Sequence, residues 1–209
     1  MKILLADDHA VVRRGLKQIL ADEFKKAAFF GEARTGQEAL DLVWKDPWDV
    51  VILDITMPGR SGLEVLREIK KARPKLPVLV LSMHPEDQFA VRVLKAGASG
   101  YMTKETAPEE LVGAIKKVMA GGRHISAAVA DLMASYLSLD TEAPPHEQLS
   151  NREFQVMRLI ASGKTVSEIA RDLSLSVRTV STYRARILEK TGMHTNAELT
   201  HYAFQHQLV

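Results

Sequence analysis

Five short apolar runs, at residues 3–6, 27–30, 50–53, 78–81 and 100–102, punctuate the first 122 residues of the chain, with longer amphipathic segments between them. A run such as Val50-Val51-Ile52-Leu53 has no polar alternation, so it reads as a strand covered on both faces. Strands of that kind need helices on each side of a parallel sheet. The alternation therefore predicts an α/β fold whose first domain, residues 1–122, is a five-stranded doubly wound parallel sheet. Helix starts are marked independently by Thr35 with Glu38, Ser61 with Glu64 and Thr106 with Glu109. At this spacing each side chain can satisfy a main-chain N–H at the helix start.

The third run ends on a charge. Asp54 follows Leu53 directly and precedes the breaker Met57-Pro58-Gly59. An unpaired carboxylate is costly in a dry interior, so Asp54 belongs at the open end of its strand. Open sheets of this class bind ligands beyond the carboxyl ends of their strands. Asp7 and Asp8 follow the first run, Ser82 the fourth and Lys104 the fifth, so winding brings Asp8, Asp54, Ser82 and Lys104 together with Asp7 beside them. Carboxylates this close repel one another unless a cation neutralises them, and a hard, oxygen-seeking ion such as Mg²⁺ suits the set. With Lys104 nearby, the pocket is suited to a phosphoryl group: Asp54 as the nucleophile that becomes an aspartyl phosphate, Lys104 and Ser82 as partners of the phosphoryl oxygens. Each residue also has a plainer role when taken singly, as a strand-end cap, a helix cap, a turn residue or a solvated lysine.

Beyond Gly122 the pattern changes. Residues 126–137 carry Ala, Val, Leu and Met at helical spacing, and residues 138–148, SLDTEAPPHEQ, lose it, so residues 123–147 read as a connecting helix and an exposed linker. Residues 148–209 show no strand signal. Ser150 with Glu153, Thr165 with Glu168 and Thr195 with Glu198 open helical patterns, which predicts a small all-α domain. The break Ser174-Leu175-Ser176 between two amphipathic segments has the layout of a helix-turn-helix. In the segment after Ser176, Val180, Ile187 and Thr191 share one helical face, and Arg178, Ser181, Thr182 and Ala185 lie opposite. That face can enter a major groove, with Arg178, Ser181 and Thr182 addressing base edges and Arg184, Arg186 and Lys190 addressing phosphates. A solvated face in a protein-binding helical bundle is the alternative.

Charge supports the nucleic-acid reading only locally. The whole chain carries a formal +2, but Arg178, Arg184, Arg186 and Lys190 cluster against Glu189 alone. The absence of Cys excludes disulfides, thiolate catalysis and Cys-built zinc sites. None of the seven His falls in a metal-ligand spacing. No apolar run approaches the ~18 residues of a membrane span, and Asp7-Asp8 cuts short any signal-peptide core, so a cytoplasmic protein without a membrane partner is expected.

The stretches LLADDHAVVRRGL, EARTGQEAL, DVVILDITMPGRSGLEVL, PVLVLSMH and LKAGASGYMTKETAPEEL together resemble the flavodoxin-like receiver domain of two-component response regulators. LSNREFQVMRLIASGKTVSEIARDLSLSVRTVSTYRARILEKTGM resembles a LuxR-type helix-turn-helix domain, and the whole chain is similar to the NarL/FixJ family. The resemblance implies phosphoryl transfer to Asp54 from a cognate histidine kinase, Mg²⁺ held by Asp7, Asp8, Asp54 and the Thr56 carbonyl, and a switch through Ser82 and Tyr101. It further implies a homodimer on double-stranded promoter DNA when phosphorylated, and no enzymatic activity apart from Mg²⁺-dependent autophosphorylation and autodephosphorylation. Ser181, Ala185 and Tyr183 depart from residues frequent in relatives. Two alternatives stand beside this reading. A haloacid-dehalogenase-like phosphatase would need an acid/base Asp where this chain has Thr56, and the receiver could instead act without phosphorylation.

Overall fold

The computed structural model describes residues 1–24, 28–57, 60–83, 86–137, 144–206 and 208–209. The chain divides into two compact units, Met1–Leu139 and Asp140–Val209. No helix among the described residues is long and apolar enough to cross a membrane.

The first unit is built on strands β1 (Lys2–Ala6), β2 (Phe29–Ala33), β3 (Val50–Asp54), β4 (Val78–Ser82) and β5 (Gly100–Thr103), all parallel, in the order β2-β1-β3-β4-β5. Helices α1 (Ala10–Phe24), α2 (Gly36–Lys45), α3 (Gly62–Ala72), α4 (Glu86–Lys95) and α5 (Ala107–Met119) alternate with them. Every residue of β3 and β4 is buried, as continuous apolar strands require. One sheet face packs Ile3, Leu5, Ile52, Leu79 and Leu81 against Leu16 and Leu20 of α1 and Leu111 and Ile115 of α5. Burying each such side chain contributes about 1.5–3 kcal/mol, so this layer fixes the strand order and hence the place where the strand ends meet.

Local readings hold unevenly. Ser61 forms a full capping box with Glu64, and Thr35 accepts from the Glu38 N–H. Thr106 does not cap α5: its backbone is already helical, and its N–H donates instead to the Thr103 hydroxyl at 3.2 Å. The second strand lies later than its apolar run. Ala27 is outside the described residues, and β2 runs on through Gly31 and Glu32 because β1 supplies partners as far as Ala33. Gly31 is needed where the Trp48 ring closes on the strand, since a Cβ there would collide with it. Glu32 leaves the apolar pattern to pair with Arg13 and Lys17.

Helix α6 (Ala127–Leu137), read above as part of the connection, belongs to the first unit and packs beside α4. In the second unit, α7 (Asn151–Ala161), α8 (Val166–Asp172), α9 (Val177–Thr191) and α10 (Asn196–Gln205) are each opened by the expected Ser or Thr cap. The end of the supposed exposed linker is ordered: residues Pro145–Gln148 form a 3-10 turn, and His146 is buried with its Nδ1 2.7 Å from the Tyr202 hydroxyl and its ring against Phe154. An aromatic cluster on α7 and α10 thus captures a segment that composition alone marks as solvated. Between α8 and α9, Ser174 adopts φ 54°, a left-handed residue that turns the chain sharply enough for α9 to cross α8.

Candidate functional site

Strand register places the charged residues. Ala6 lies beside Leu53, Asp54 beside Leu81 and Ser82 beside Thr103, so Asp7, Asp54, Ser82 and Lys104 all fall at the carboxyl edge, where the strand order reverses between β1 and β3. Lys104 Nζ lies 2.7 Å from Asp54 Oδ2 and 2.8 Å from Asp7 Oδ2. The three side chains are 6%, 1% and 3% exposed. The Thr56 N–H donates to Asp54 Oδ1 at 2.9 Å, and the His9 N–H donates to Asp7 Oδ1 at 2.7 Å. Gly62 seats the first turn of α3 directly on β3, where a Cβ would meet the Asp54 carbonyl oxygen and Ile55 Cα. Ser82 and Tyr101 are both buried at the adjoining strand positions.

Two buried carboxylates share one ammonium, and this sets the electrostatics. Burial pushes the Asp54 carboxyl up, and the pull of Lys104 only partly reverses it. Burial would lower the Lys104 ammonium, but attraction to Asp54 and Asp7 outweighs it and holds the group above its ordinary value. The two directions have different origins: withdrawal from water raises Asp54, with a smaller contribution from Asp7, whereas two adjacent carboxylates raise Lys104. Asp7 Oδ2 is buried and has the shared Lys104 ammonium as its charge partner. The partly exposed Asp8 adds further negative charge at the rim. An added cation fits this surplus, and oxygens of Asp7, Asp8 and Asp54 with Nδ1 of His9 lie within 4.8 Å of one another.

Two residues of this region escaped the sequence reading. His9 sits in the cluster next to the Asp7-Asp8 pair, a signal masked by its lack of a partner His at helical spacing. Arg13 is buried in α1 and donates to the Asp7 carbonyl oxygen at 2.6 Å, while its Nε lies 3.3 Å from Glu32. It holds the chain segment that carries both acidic residues. The intrusion of Glu32 into the second apolar run was the available hint.

The second unit presents the α9 face. Val180, Ile187 and Thr191 are buried, and Arg178, Ser181, Thr182, Ala185 and Arg186 are exposed on the other side. The Ser181 and Thr182 hydroxyls donate to carbonyl oxygens four residues earlier, at 2.9 and 3.0 Å. Arg184 donates through Nε to Asn196 at 2.7 Å. Lys190 is tied down differently from the other basic residues: its Nζ pairs at 2.6 Å with Glu153, whose side chain is 3% exposed. Glu153 is the carboxylate of the α7 capping box, so Lys190 joins the recognition-type helix to the start of α7.

Residues 3–116 match the response regulator receiver domain, and residues 147–203 match the bacterial regulatory proteins of the luxR family. Over 209 residues the chain is 39% identical to the response regulator UvrY of Escherichia coli strain K12, a match covering 100% of this chain and 95% of UvrY. It is also 39% identical over 210 residues to the response regulator GacA of Pseudomonas aeruginosa, covering 100% of this chain and 98% of GacA. A solved structure of two RcsB dimers bound to two parallel DNAs is 28% identical, with a TM-score of 0.59 over 97% of each chain.

Proposed function

The chain belongs to the response regulators, with a receiver domain followed by a LuxR-type DNA-binding domain, and on that premise we propose that a histidine kinase phosphorylates Asp54 to control promoter binding in the cytoplasm. The carrying observation is the buried trio Asp54, Asp7 and Lys104 at the topological switch point. In this reading residues 1–122 accept the phosphoryl group, 123–147 connect, and 148–209 bind double-stranded DNA.

Asp7, Asp8, Asp54 and the Thr56 carbonyl would hold Mg²⁺. When bound, that ion supplies charge neutralisation for the transferring oxygens. An Asp54 carboxylate oxygen attacks the phosphorus of a phosphohistidine, the O–P bond forms, and the N–P bond breaks. The electron pair returns to the imidazole nitrogen, which solvent reprotonates. Lys104 is held near Asp54 and meets the negative charge as it shifts to the phosphoryl oxygens, and buried Ser82 donates its hydroxyl to one of them. Thr56 cannot serve as an acid/base carboxylate, which favours a stable aspartyl phosphate over phosphatase turnover. The added charge draws the Ser82 hydroxyl toward the phosphoryl group and stabilises the buried position of Tyr101, biasing the neighbouring α4–β5–α5 surface.

Downstream, Arg178, Ser181 and Thr182 read base edges while Arg184, Arg186 and Lys190 contact phosphates, Lys190 being also paired with Glu153. Pairing of two copies on adjacent half-sites is supported by Phe204, which stands 75% exposed on α10. The test is incubation with Mg²⁺ and acetyl phosphate followed by intact-mass analysis. Wild type should gain one phosphoryl mass and Asp54→Asn none. An unmodified wild type, or an equally modified variant, refutes the assignment.

A further inference from the structure

We propose that His9 turns the acidic cluster into a mixed nitrogen and oxygen site, so that Mn²⁺ and Zn²⁺ bind there with the imidazole as a direct ligand and compete with Mg²⁺; this rests on the reading of the cluster as a divalent-cation site. Nδ1 of His9 and one oxygen from each of Asp7, Asp8 and Asp54 lie within 4.8 Å of one another. Ligands on opposite sides of an ion with bonds of ~2.1 Å stand ~4.2 Å apart, so the four donors close on one ion by small side-chain rotations. Nδ1 is already 2.8 Å from Asp8 Oδ1 and 3.3 Å from Asp7 Oδ1. The His9 main chain is held by its N–H bond to Asp7 Oδ1, and the ring is 62% exposed, so only the ring has to move. The buried Asp7 Oδ2 has a single charge partner, Lys104 Nζ at 2.8 Å, which it shares with Asp54.

The chemistry then sorts the ions. Mg²⁺ is hard, keeps its waters and prefers oxygen, so an imidazole adds little to its binding. First-row transition ions gain from a nitrogen ligand, and affinity rises from Mn²⁺ toward Zn²⁺. An ion held by His9 also has one coordination position fewer for a phosphoryl oxygen.

The full-length chain and His9→Gln are compared with two measurements. Electron spin-echo spectroscopy of the Mn²⁺-loaded protein should show nitrogen modulation from a coordinated imidazole in wild type and none in the variant. Titration against a competing chelator should show Zn²⁺ affinity falling at least about tenfold in His9→Gln, since loss of a direct ligand exceeds typical outer-shell effects, with Mg²⁺ affinity changing less than about twofold. Equal urea midpoints for the two proteins establish that both are folded. Nitrogen modulation persisting in His9→Gln, or Mn²⁺ binding without modulation in wild type, overturns the role of His9 and leaves the cation site standing. Failure of Mg²⁺ and Mn²⁺ alike to bind wild type overturns both readings.

Discussion

Replacing Lys104 with Met removes the ammonium between Asp54 and Asp7 while keeping the length of the side chain. At 2.7 Å and 2.8 Å these are close contacts between groups almost withdrawn from water. Breaking such a pair generally costs about 3–5 kcal/mol because a charge is left buried without a partner. The site has one escape, which is uptake of a proton by Asp54, whose carboxyl burial already pushes above its ordinary 3.8. Protonation from that value costs about 1.4 kcal/mol per pH unit, so it caps the loss near 4 kcal/mol at pH 7 and near 2 kcal/mol at pH 5. The sign follows from linkage. A carboxyl whose folded-state pKa is raised stabilises the fold below its unfolded value, and that contribution is lost as pH rises through the folded value. Wild type should show the same slope, only shallower. Both tryptophans, Trp44 and Trp48, lie in the first unit, so urea unfolding followed by tryptophan fluorescence reports on this unit alone. With a urea slope of about 2 kcal/mol per molar, the midpoint should fall by roughly 2 M at pH 7 and by about half that at pH 5. A variant within about 1 kcal/mol of wild type at pH 7, or a deficit that fails to shrink on acidification, would refute the idea that one lysine balances a surplus of buried negative charge.

Gly62→Ala should push the Asp54 end of β3 away from α3, destabilising the first unit by about 1–3 kcal/mol and lowering phosphoryl incorporation from acetyl phosphate; thermal melts and intact-mass yields measure the two effects. Ser61→Ala should cost about 1 kcal/mol through loss of its cap, and Thr106→Ala clearly less, because Thr106 makes no cap bond to the helix it precedes. In DNA titrations with full-length protein, Arg178→Ala should relax specificity at one base position, at about 1–3 kcal/mol, whereas Arg186→Ala should weaken all sequences alike and reduce the salt slope by about one. For Glu153, burial raises the pKa, but hydrogen bonds from Lys190 and Ser150 outweigh it and leave the group below its ordinary 4.5. Its contribution is present above that value and lost as pH falls below it. Protection of α9 amides from hydrogen exchange, taken relative to the intrinsic rate at each pH, should therefore fall on acidification below pH 4.5, and Lys190→Met should flatten that dependence.

The sequence by itself determined the architecture and the gathering of the charged residues at the sheet edge. Val50-Val51-Ile52-Leu53, bounded by turn residues and free of polar alternation, reads as a strand covered on both faces, which puts the charge straight after it at the sheet's edge. Five of the six Ser or Thr and Glu pairs also cap their helices, since a cap depends on three or four neighbouring residues and little else. Ser61, Ser150 and Thr165 form complete boxes. Thr106 fails because the bond from its own N–H to Thr103 draws it into the helix first.

Only tertiary structure decided what depended on partners distant in the chain. The extent of β2 followed the register offered by β1 and the fit of Trp48 over Gly31, neither visible in a local apolar run. His146 became a core residue through Phe154 and Tyr202, although it stands in a stretch whose composition marks it as solvated. Lys190 gained a bond to Glu153 across 37 residues that the charge pattern did not show. Arg13 and His9 gained their places around Asp7 in the same way. Apolar periodicity and capping are set by neighbours along the chain, whereas the pairing of a charge is set by whichever opposite charge the completed fold brings within about 3 Å in a site that water has left.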